Sequence, residues 1–416
     1  LCEKCNNIHH NYDASKIALK YKDNMSIIKN IRAFTVESGK KSTDYVSQPK
    51  GHWITDTLVA NPMAIYPEYR GSRNSWGIGI LGPVVVEVEL ENGIIGVGMS
   101  TAGPPGCWLI EHHLKQFAIG QNVTNVELIW DQMWRASIGY GRKGITIHAI
   151  SAIDLAIWDA MGKDAGKPVY ELLGGPLRSS LPLYATSPAA ASVKKQGFQG
   201  VKIPLPYGPA SGQDGLQKNV SLFDEVRNSV GDDFDIMIDC YMALSVEYAM
   251  QLVRALKPFN IRWLEEPLMP DDYAGYSELK KRLPETFIST GEHEYTRYGF
   301  SQLIECGVDI LQPDLTWCGG MTEVRRITSM AASRDIPVIP HGSGIYSWHH
   351  QVSFPNTPFA EFLMLSPKGD KATPQFGSLF INEPLPENGQ LYLSDEPGFG
   401  IELNRTTNEL HRPFEV

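Results

Sequence analysis

The stretch Asp235-Ile236-Met237-Ile238-Asp239 is a short apolar run that ends in a carboxylate. The design recurs downstream in Ile261-Arg262-Trp263-Leu264-Glu265, Phe287-Ile288-Ser289-Thr290-Gly291-Glu292, Ile310-Leu311-Gln312-Pro313-Asp314 and Val338-Ile339-Pro340-His341. The closing residues Asp239, Glu265, Glu292, Asp314 and His341 are separated by 26, 27, 22 and 27 residues. A strand followed by a helix that returns to the start of the next strand needs about that much chain. The repeat therefore predicts a parallel (β/α) barrel, in which side chains at the C-terminal ends of the strands converge on one mouth.

Eight candidate strands follow from Leu181 onward: Leu183 to Thr186, Gly200 to Ile203, Asp235 to Ile238, Ile261 to Leu264, Phe287 to Thr290, Ile310 to Gln312, Val338 to Ile339 and Phe359 to Phe362. Amphipathic segments alternate with them, and Ser245 and Thr322 are candidate N-caps for helices running to Leu256 and Ala332, since a hydroxyl accepts from the free N–H groups of a first turn. Upstream, Ser26 to Glu37 has strand composition, and Val84 to Leu90, Asn92-Gly93 and Ile94 to Met99 read as a hairpin closed by an Asn-Gly turn. Trp108 to Ile119, Val126 to Ile138 and Ile147 to Met161 carry apolar residues at helical spacing, the last with Gly162 near its end. The expected fold is α/β: a modified TIM-type (β/α) barrel over residues 146–375, with an α+β capping domain formed by residues 26–145 and the C-terminal segment 376–416. Residues 40–82 are too long for a plain connection and read as a substrate loop, and residues 1–25 as a disordered tail.

A chain of 416 residues that is 42% hydrophobic can bury a barrel of roughly 250 residues and a second domain. It holds no run of about 18 uninterrupted apolar residues, so no membrane span is expected. The formal charge of −10 argues against a nucleic-acid surface, and an anionic substrate would need local cations to offset it. Of the six cysteines, Cys107, Cys240, Cys306 and Cys318 lie in or beside apolar segments and read as reduced structural thiols. Cys2, Cys5, His9 and His10 lack a second well-spaced ligand pair, so a zinc site is not expected there. The chain begins at Leu1, which suggests trimming, and without an apolar leader segment the expected compartment is the cytoplasm.

Asp239, Glu265 and Glu292 close three successive runs, and three hard carboxylate oxygens converging at one barrel end suit Mg2+. Glu266 alternates to the other side and reads as a supporting residue. Asp314 and His341 close the next two, and a carboxylate beside an imidazole fixes its tautomer and raises its basicity, as a general base requires. Glu361 ends the last candidate strand, closes the circuit opposite the metal side and could donate a hydrogen bond if protonated.

Ala152-Ile153-Asp154-Leu155-Ala156-Ile157-Trp158-Asp159, Trp263-Leu264-Glu265-Glu266-Pro267 and Leu311-Gln312-Pro313-Asp314 together resemble the enolase superfamily in its mandelate racemase branch, over nearly the whole chain from Ser26. Within the branch, Gly51-His52-Trp53-Ile54, Ser100-Thr101-Ala102-Gly103, Trp317-Cys318-Gly319-Gly320, Pro340-His341-Gly342-Ser343 and Pro397-Gly398-Phe399-Gly400 are most similar to the acid-sugar dehydratases whose substrate is L-rhamnonate. The resemblance implies Asp239, Glu265 and Glu292 as Mg2+ ligands, His341 as base, Asp314 as its partner, Glu361 as transition-state stabiliser and Arg73 as a substrate-binding arginine. It implies a small acid-sugar substrate and a homo-oligomer. A substrate-binding histidine of the family falls at Val46, with His52 the nearby candidate to replace it. Racemases of the branch carry a second base two residues after the strand lysine, where this chain has Lys202-Ile203-Pro204; proline moves no proton, so elimination is expected rather than racemisation. Lys202 and His293 remain candidates for contacting the substrate carboxylate and hydroxyls. A dehydratase for another acid sugar (a fuconate, galactonate or mannonate), a racemase or epimerase, and a barrel kept as a scaffold are the other readings.

Overall fold

The computed structural model describes residues 26–37, 51–70 and 78–414. Strand alternation explains its centre. In Gly200-Val201-Lys202-Ile203-Pro204 every second side chain changes face, and Val201 and Ile203 join the large core beneath the helices while Lys202 enters the barrel. Tyr184, Met237, Trp263, Ile310, Ile339 and Phe359 form a second, separate cluster inside the barrel. Aromatic contacts knit it: Trp263 stacks on Phe359 at 6.1 Å and Tyr184 meets Trp263 edge-on at 5.4 Å. The barrel is thus plugged from below, and its polar residues occupy the layer above.

The barrel strands are β4 (Leu181–Thr186), β5 (Gly200–Pro204), β6 (Asp235–Asp239), β7 (Ile261–Glu265), β8 (Ile288–Thr290), β9 (Ile310–Leu311) and β10 (Ala360–Leu363). They pair in parallel in the order β10-β4-β5-β6-β7-β8-β9, a curled sheet in which β10 closes back on β4. Val338 to Ile339 is reduced to one parallel bridge with Leu311, rather than the expected strand. Pro337 and Pro340 flank it, and neither can donate to a ladder, so pairing stops after Ile339 donates to the Leu311 carbonyl at 2.8 Å.

The cap is an antiparallel sheet. Its strands are β1 (Ile28–Glu37), β2 (Val84–Leu90) and β3 (Ile95–Ser100), the last two joined by the Asn92-Gly93 hairpin, and β14 (Glu409–His411) from the C-terminal tail extends the sheet by pairing with β1. The tail also supplies β12 (Gln390–Leu391), antiparallel to β4, while β11 (Phe380–Ile381) pairs with β13 (Glu402–Leu403). Helix α1 (Gly103–His112) begins five residues before Trp108 because Pro104 and Pro105 suit a first turn, whose N–H groups have no helical partner. After it come α2 (Val126–Ser137) and α3 (Ile145–Ala165). An added Cβ at Gly96 or Gly98 would lie 2.2 Å from the Ala156 or Ala152 carbonyl, so these glycines let α3 lie directly on β3. Gly162 is not the stop: α3 runs on to Ala165 and ends at Gly166, left-handed at φ 62°. Gly162 instead admits the backbone of Gly398. Among the described residues α3 is the one helix long and apolar enough to cross a membrane, and 89% of its most apolar window is buried inside the protein.

Between the barrel strands run α4 (Ala190–Lys195), α5 (Gly212–Val230), α6 (Val246–Leu256), α7 (Tyr273–Arg282), α8 (Thr296–Glu305), α9 (Gly320–Ala332) and α10 (Gly344–Gln351). Ser245 caps α6 as its sequence predicts, accepting from the Tyr248 N–H at 3.2 Å. Thr322 does not cap α9, which starts two residues earlier at Gly320. Its own N–H is taken at 2.9 Å by Asp154 of α3, so the cap comes from across the interface.

Candidate active site

β6 and β7 stop in register, with Asp239 beside Glu265, and Glu292 follows β8 after Gly291, which sits at φ 135°. One oxygen from each of the three carboxylates lies within 4.8 Å of the others. All are buried, and Glu265 is further held by the Gln312 amide at 2.6 Å and the Trp263 indole at 3.4 Å. Burial opposes their ionisation: it raises Asp239, pushes Glu265 well above the usual carboxylate range and lifts Glu292 to about 7, with the neighbouring acids adding to the effect. Three oxygens at this spacing in a poorly solvated pocket, made costly by their own repulsion, fit a hard divalent cation.

His341 faces the same mouth. Its Nδ1 lies 2.9 Å from Asp314 Oδ2, and its Nε2 is 3.5 Å from Glu292 Oε2. Burial alone would lower the imidazole, but Glu292, Asp314 and Glu361 together hold it well above its ordinary value. Asp314 is itself fixed, since Oδ1 accepts from the Thr316 N–H at 2.7 Å and the Thr316 hydroxyl at 2.6 Å.

The surroundings of Glu361 favour its ionised form. Burial pushes its carboxyl up, but the Lys202 ammonium, His341 and the Thr186 hydroxyl outweigh that and bring it to about 2. It accepts from the Thr186 hydroxyl, from the Gly342 N–H at 3.0 Å and from Lys202 at 2.8 Å. Glu361 is an acceptor here, not a donor.

Lys202 is 1% exposed and lies beneath the acids, bonded to Glu265 and Glu361 and 3.8 Å from Asp239. Its ammonium joins the two halves of the ring rather than projecting into the mouth. Pro204 sits on the same face, in register with Asp239. His293 forms a second imidazole–carboxylate pair, Nδ1 to Glu266 Oε2 at 2.8 Å, which raises it to about 9 despite burial. Glu266, Glu292 and His293 form a second close group.

His52 cannot stand in for the missing histidine. Its Nδ1 accepts from the Ile54 N–H at 3.2 Å, which leaves Nε2 to donate to the Leu365 carbonyl at 3.0 Å. Both ring nitrogens are occupied in capping the turn Trp53–Asp56 and tying it to the segment after β10. The loop also reaches β5, where the Ala60 N–H donates to the Leu205 carbonyl at 2.8 Å. Arg73 and Val46, like Cys2, Cys5, His9 and His10, lie outside the described residues.

The structure adds Thr186, Gln312 and Trp317 to the residues singled out by sequence. Gln312 is two residues from Asp314, and strand alternation could have placed it inside the barrel. Trp317 packs 5.3 Å from His341 and 5.7 Å from His293.

The fold and this strand-end set together define the class: the chain belongs to the mandelate racemase and muconate lactonizing enzyme family of the enolase superfamily. Residues 81–174 match that family's N-terminal domain, and residues 185–407 match its enolase C-terminal domain-like part. The chain is 50% identical over 389 residues to a putative L-rhamnonate dehydratase of Caldivirga maquilingensis, covering 93% of this chain and 96% of that protein. It is likewise 50% identical to the L-rhamnonate dehydratase of Saccharopolyspora erythraea, over 93% and 99% of the two chains. Its structure is similar to the crystal structure of rhamnonate dehydratase from Gibberella zeae complexed with Mg, with a TM-score of 0.88 and 46% identity over 92% and 95% of the chains.

Proposed function

We propose that this chain is a Mg2+-dependent hydro-lyase that converts L-rhamnonate to 2-keto-3-deoxy-L-rhamnonate and water. The observation that carries the reading is the His341–Asp314 pair facing three converging acids, while proline stands two residues after Lys202. Kinship with L-rhamnonate dehydratases supports the choice of sugar.

Asp239, Glu265 and Glu292 would hold Mg2+, which polarises the substrate carboxylate and stabilises the negative charge that grows as C2 loses its proton. His341 Nδ1 is tied to Asp314, so the Nε2 of its neutral imidazole takes the C2 proton. That form is favoured once Glu292, the largest charge holding the ring protonated, is itself neutralised as a ligand. The imidazolium then returns that proton to the departing 3-hydroxyl. The C2–H and C3–O bonds break, a C2–C3 double bond forms, water leaves, and the enol relaxes to the 2-keto acid. One residue acting twice requires elimination from one face. Lys202, bridging Glu265 and Glu361, supplies buried positive charge beneath the developing anion. Arg73 is assigned to the substrate carboxylate, and His293, with Nδ1 engaged by Glu266, to a substrate hydroxyl through Nε2.

The reading places residues 26–145 and 376–416 as cap over a barrel of residues 146–375, with α3 at their junction. It includes assembly as a homo-oligomer and a cytoplasmic location, the latter supported by the four cysteines among the described residues, which are free, three of them buried. The test is a panel of acid sugars incubated with Mg2+ and assayed for 2-keto products. L-Rhamnonate is expected to lead; a product that keeps its 3-hydroxyl would replace the reading by epimerisation.

A further inference from the structure

Two sequence motifs with no part in the proposed chemistry, Ser100-Thr101 and Trp317-Cys318-Gly319-Gly320, meet at the joint between cap and barrel. The Ser100 hydroxyl, fully buried at the end of β3, donates to the Thr316 carbonyl at 2.5 Å. Next to it, the Trp317 indole N–H donates to the Thr101 hydroxyl oxygen at 3.2 Å. Thr316 gives both its N–H and its hydroxyl to Asp314 Oδ1, and the other oxygen of Asp314 holds His341. The Trp317 ring is the surface on which His341 and His293 both lean. On its other side His148 stacks at 5.6 Å, with Nδ1 3.2 Å from Ser100 Oγ and Nε2 3.2 Å from the Tyr295 hydroxyl. Because the Ser100 hydrogen goes to Thr316, His148 donates from Nδ1 and accepts from Tyr295 at Nε2.

We propose that Ser100 and Thr101 are positioning residues for the reaction: the cap sets the orientation of the His341–Asp314 pair through Thr316 and the Trp317 ring. The proposal rests on the dehydratase reading with His341 as base. The far end of the same loop is already held, where Ser151 of α3 accepts from the Gly319 N–H at 2.9 Å and Trp130 of the cap donates to the Gly319 carbonyl at 2.7 Å. Inside the loop the Trp317 and Cys318 N–H groups donate to the Asp314 carbonyl at 3.0 and 2.7 Å, so the turn is stiff and its seat on the cap sets where Asp314 points. Ser100 and Thr101 supply that seat. Neither needs to touch substrate. A base misaligned by a fraction of an ångström slows proton removal without loosening the substrate.

Thr101→Val removes the acceptor while keeping the shape, and Trp317→Phe removes the donor while keeping a ring. Each is expected to lower kcat and the rate of C2 deuterium exchange by roughly ten- to hundredfold, with KM for L-rhamnonate within about twofold of wild type. The double variant should lose no more than either single one, since both delete one interaction. Thr101→Ser, which restores the hydroxyl, should recover kcat. Thermal melting of each variant separates a general loss of folding, which Thr101→Ser would not selectively reverse. Unchanged kcat in Thr101→Val, a rise in KM at constant kcat, fully multiplicative losses in the double variant, or failure of Thr101→Ser to recover kcat would each overturn the proposal. Wild-type protein inactive on every acid sugar would instead take down the dehydratase reading, and the positioning proposal with it.

Discussion

Lys202→Met keeps most of the aliphatic stem inside the barrel and deletes the ammonium that Glu265 and Glu361 share. The gross attraction to Glu361 alone, at 2.8 Å, is about 6 kcal/mol for an effective dielectric near 20. Desolvation of the pair cancels much of it. A second route uses Glu361 itself: burial pushes its carboxyl up, yet the Lys202 ammonium, the largest favourable cause, helps bring it from 4.5 to about 2, worth about 3 kcal/mol. Removing one partner of a buried ion pair costs about 3–5 kcal/mol, so the variant should lose about 3 kcal/mol near pH 7. The pH dependence has a definite sign. A carboxyl depressed on folding contributes stability above its unfolded value, and that contribution disappears as pH falls through its folded value. The gap between wild type and Lys202→Met should therefore be full above pH 4.5 and narrow toward pH 2. Urea unfolding of the metal-free proteins at pH 7, 4 and 3 measures it. A variant within about 1 kcal/mol of wild type at pH 7, or a gap that widens on acidification, contradicts the assignment of Lys202 as the charge that holds Glu361 ionised.

His341→Asn should lose dehydration and C2 deuterium exchange together, by about 10²–10⁴-fold, because proline, which moves no proton, stands at position 204; exchange retained at the wild-type rate would reassign the base. Asp159→Ala should destabilise the protein by about 3–5 kcal/mol in urea unfolding. It strips partners from the Val97 N–H at 2.8 Å, the Phe399 N–H at 2.9 Å and the Lys163 ammonium at 2.5 Å, so a loss under about 1 kcal/mol would show that this junction of cap, core helix and tail carries little stability.

The strand-end ring was legible because one physical rule, alternation along a parallel strand, fixes both the apolar run and the face of its last residue. Asp239 and Glu265 needed nothing else, whereas Glu292 is out of step with Ile288 and Thr290, which face the outer helices, and reaches the mouth because Gly291 turns the chain at φ 135°. Where a second element intervenes, the sequence runs out. Thr322 reads as a cap, yet the cap is Asp154, 168 residues away. Gly162 reads as a helix end, yet its purpose is contact with Gly398. His52 stands in a motif of the substrate loop, but its ring is engaged by main-chain partners that no local pattern announces. Glu361 looked like an acid because a buried carboxyl without a cation is one; Lys202, on a strand two places round the barrel, reverses that. Val338 to Ile339 has strand composition, and only the two prolines beside it signal how short its pairing is.

The separation of the barrel's inner cluster from the core under its helices has a consequence for how this scaffold changes with time. Residues on the inner face share few neighbours with those on the outer face, so substitutions on the two sides should combine almost independently. A replacement at Pro204 or beside Glu361 is felt by the pocket, whereas the helices that hold the sheet in its curve rest on a different set of side chains. Catalytic repertoire and thermal robustness can then drift on separate clocks.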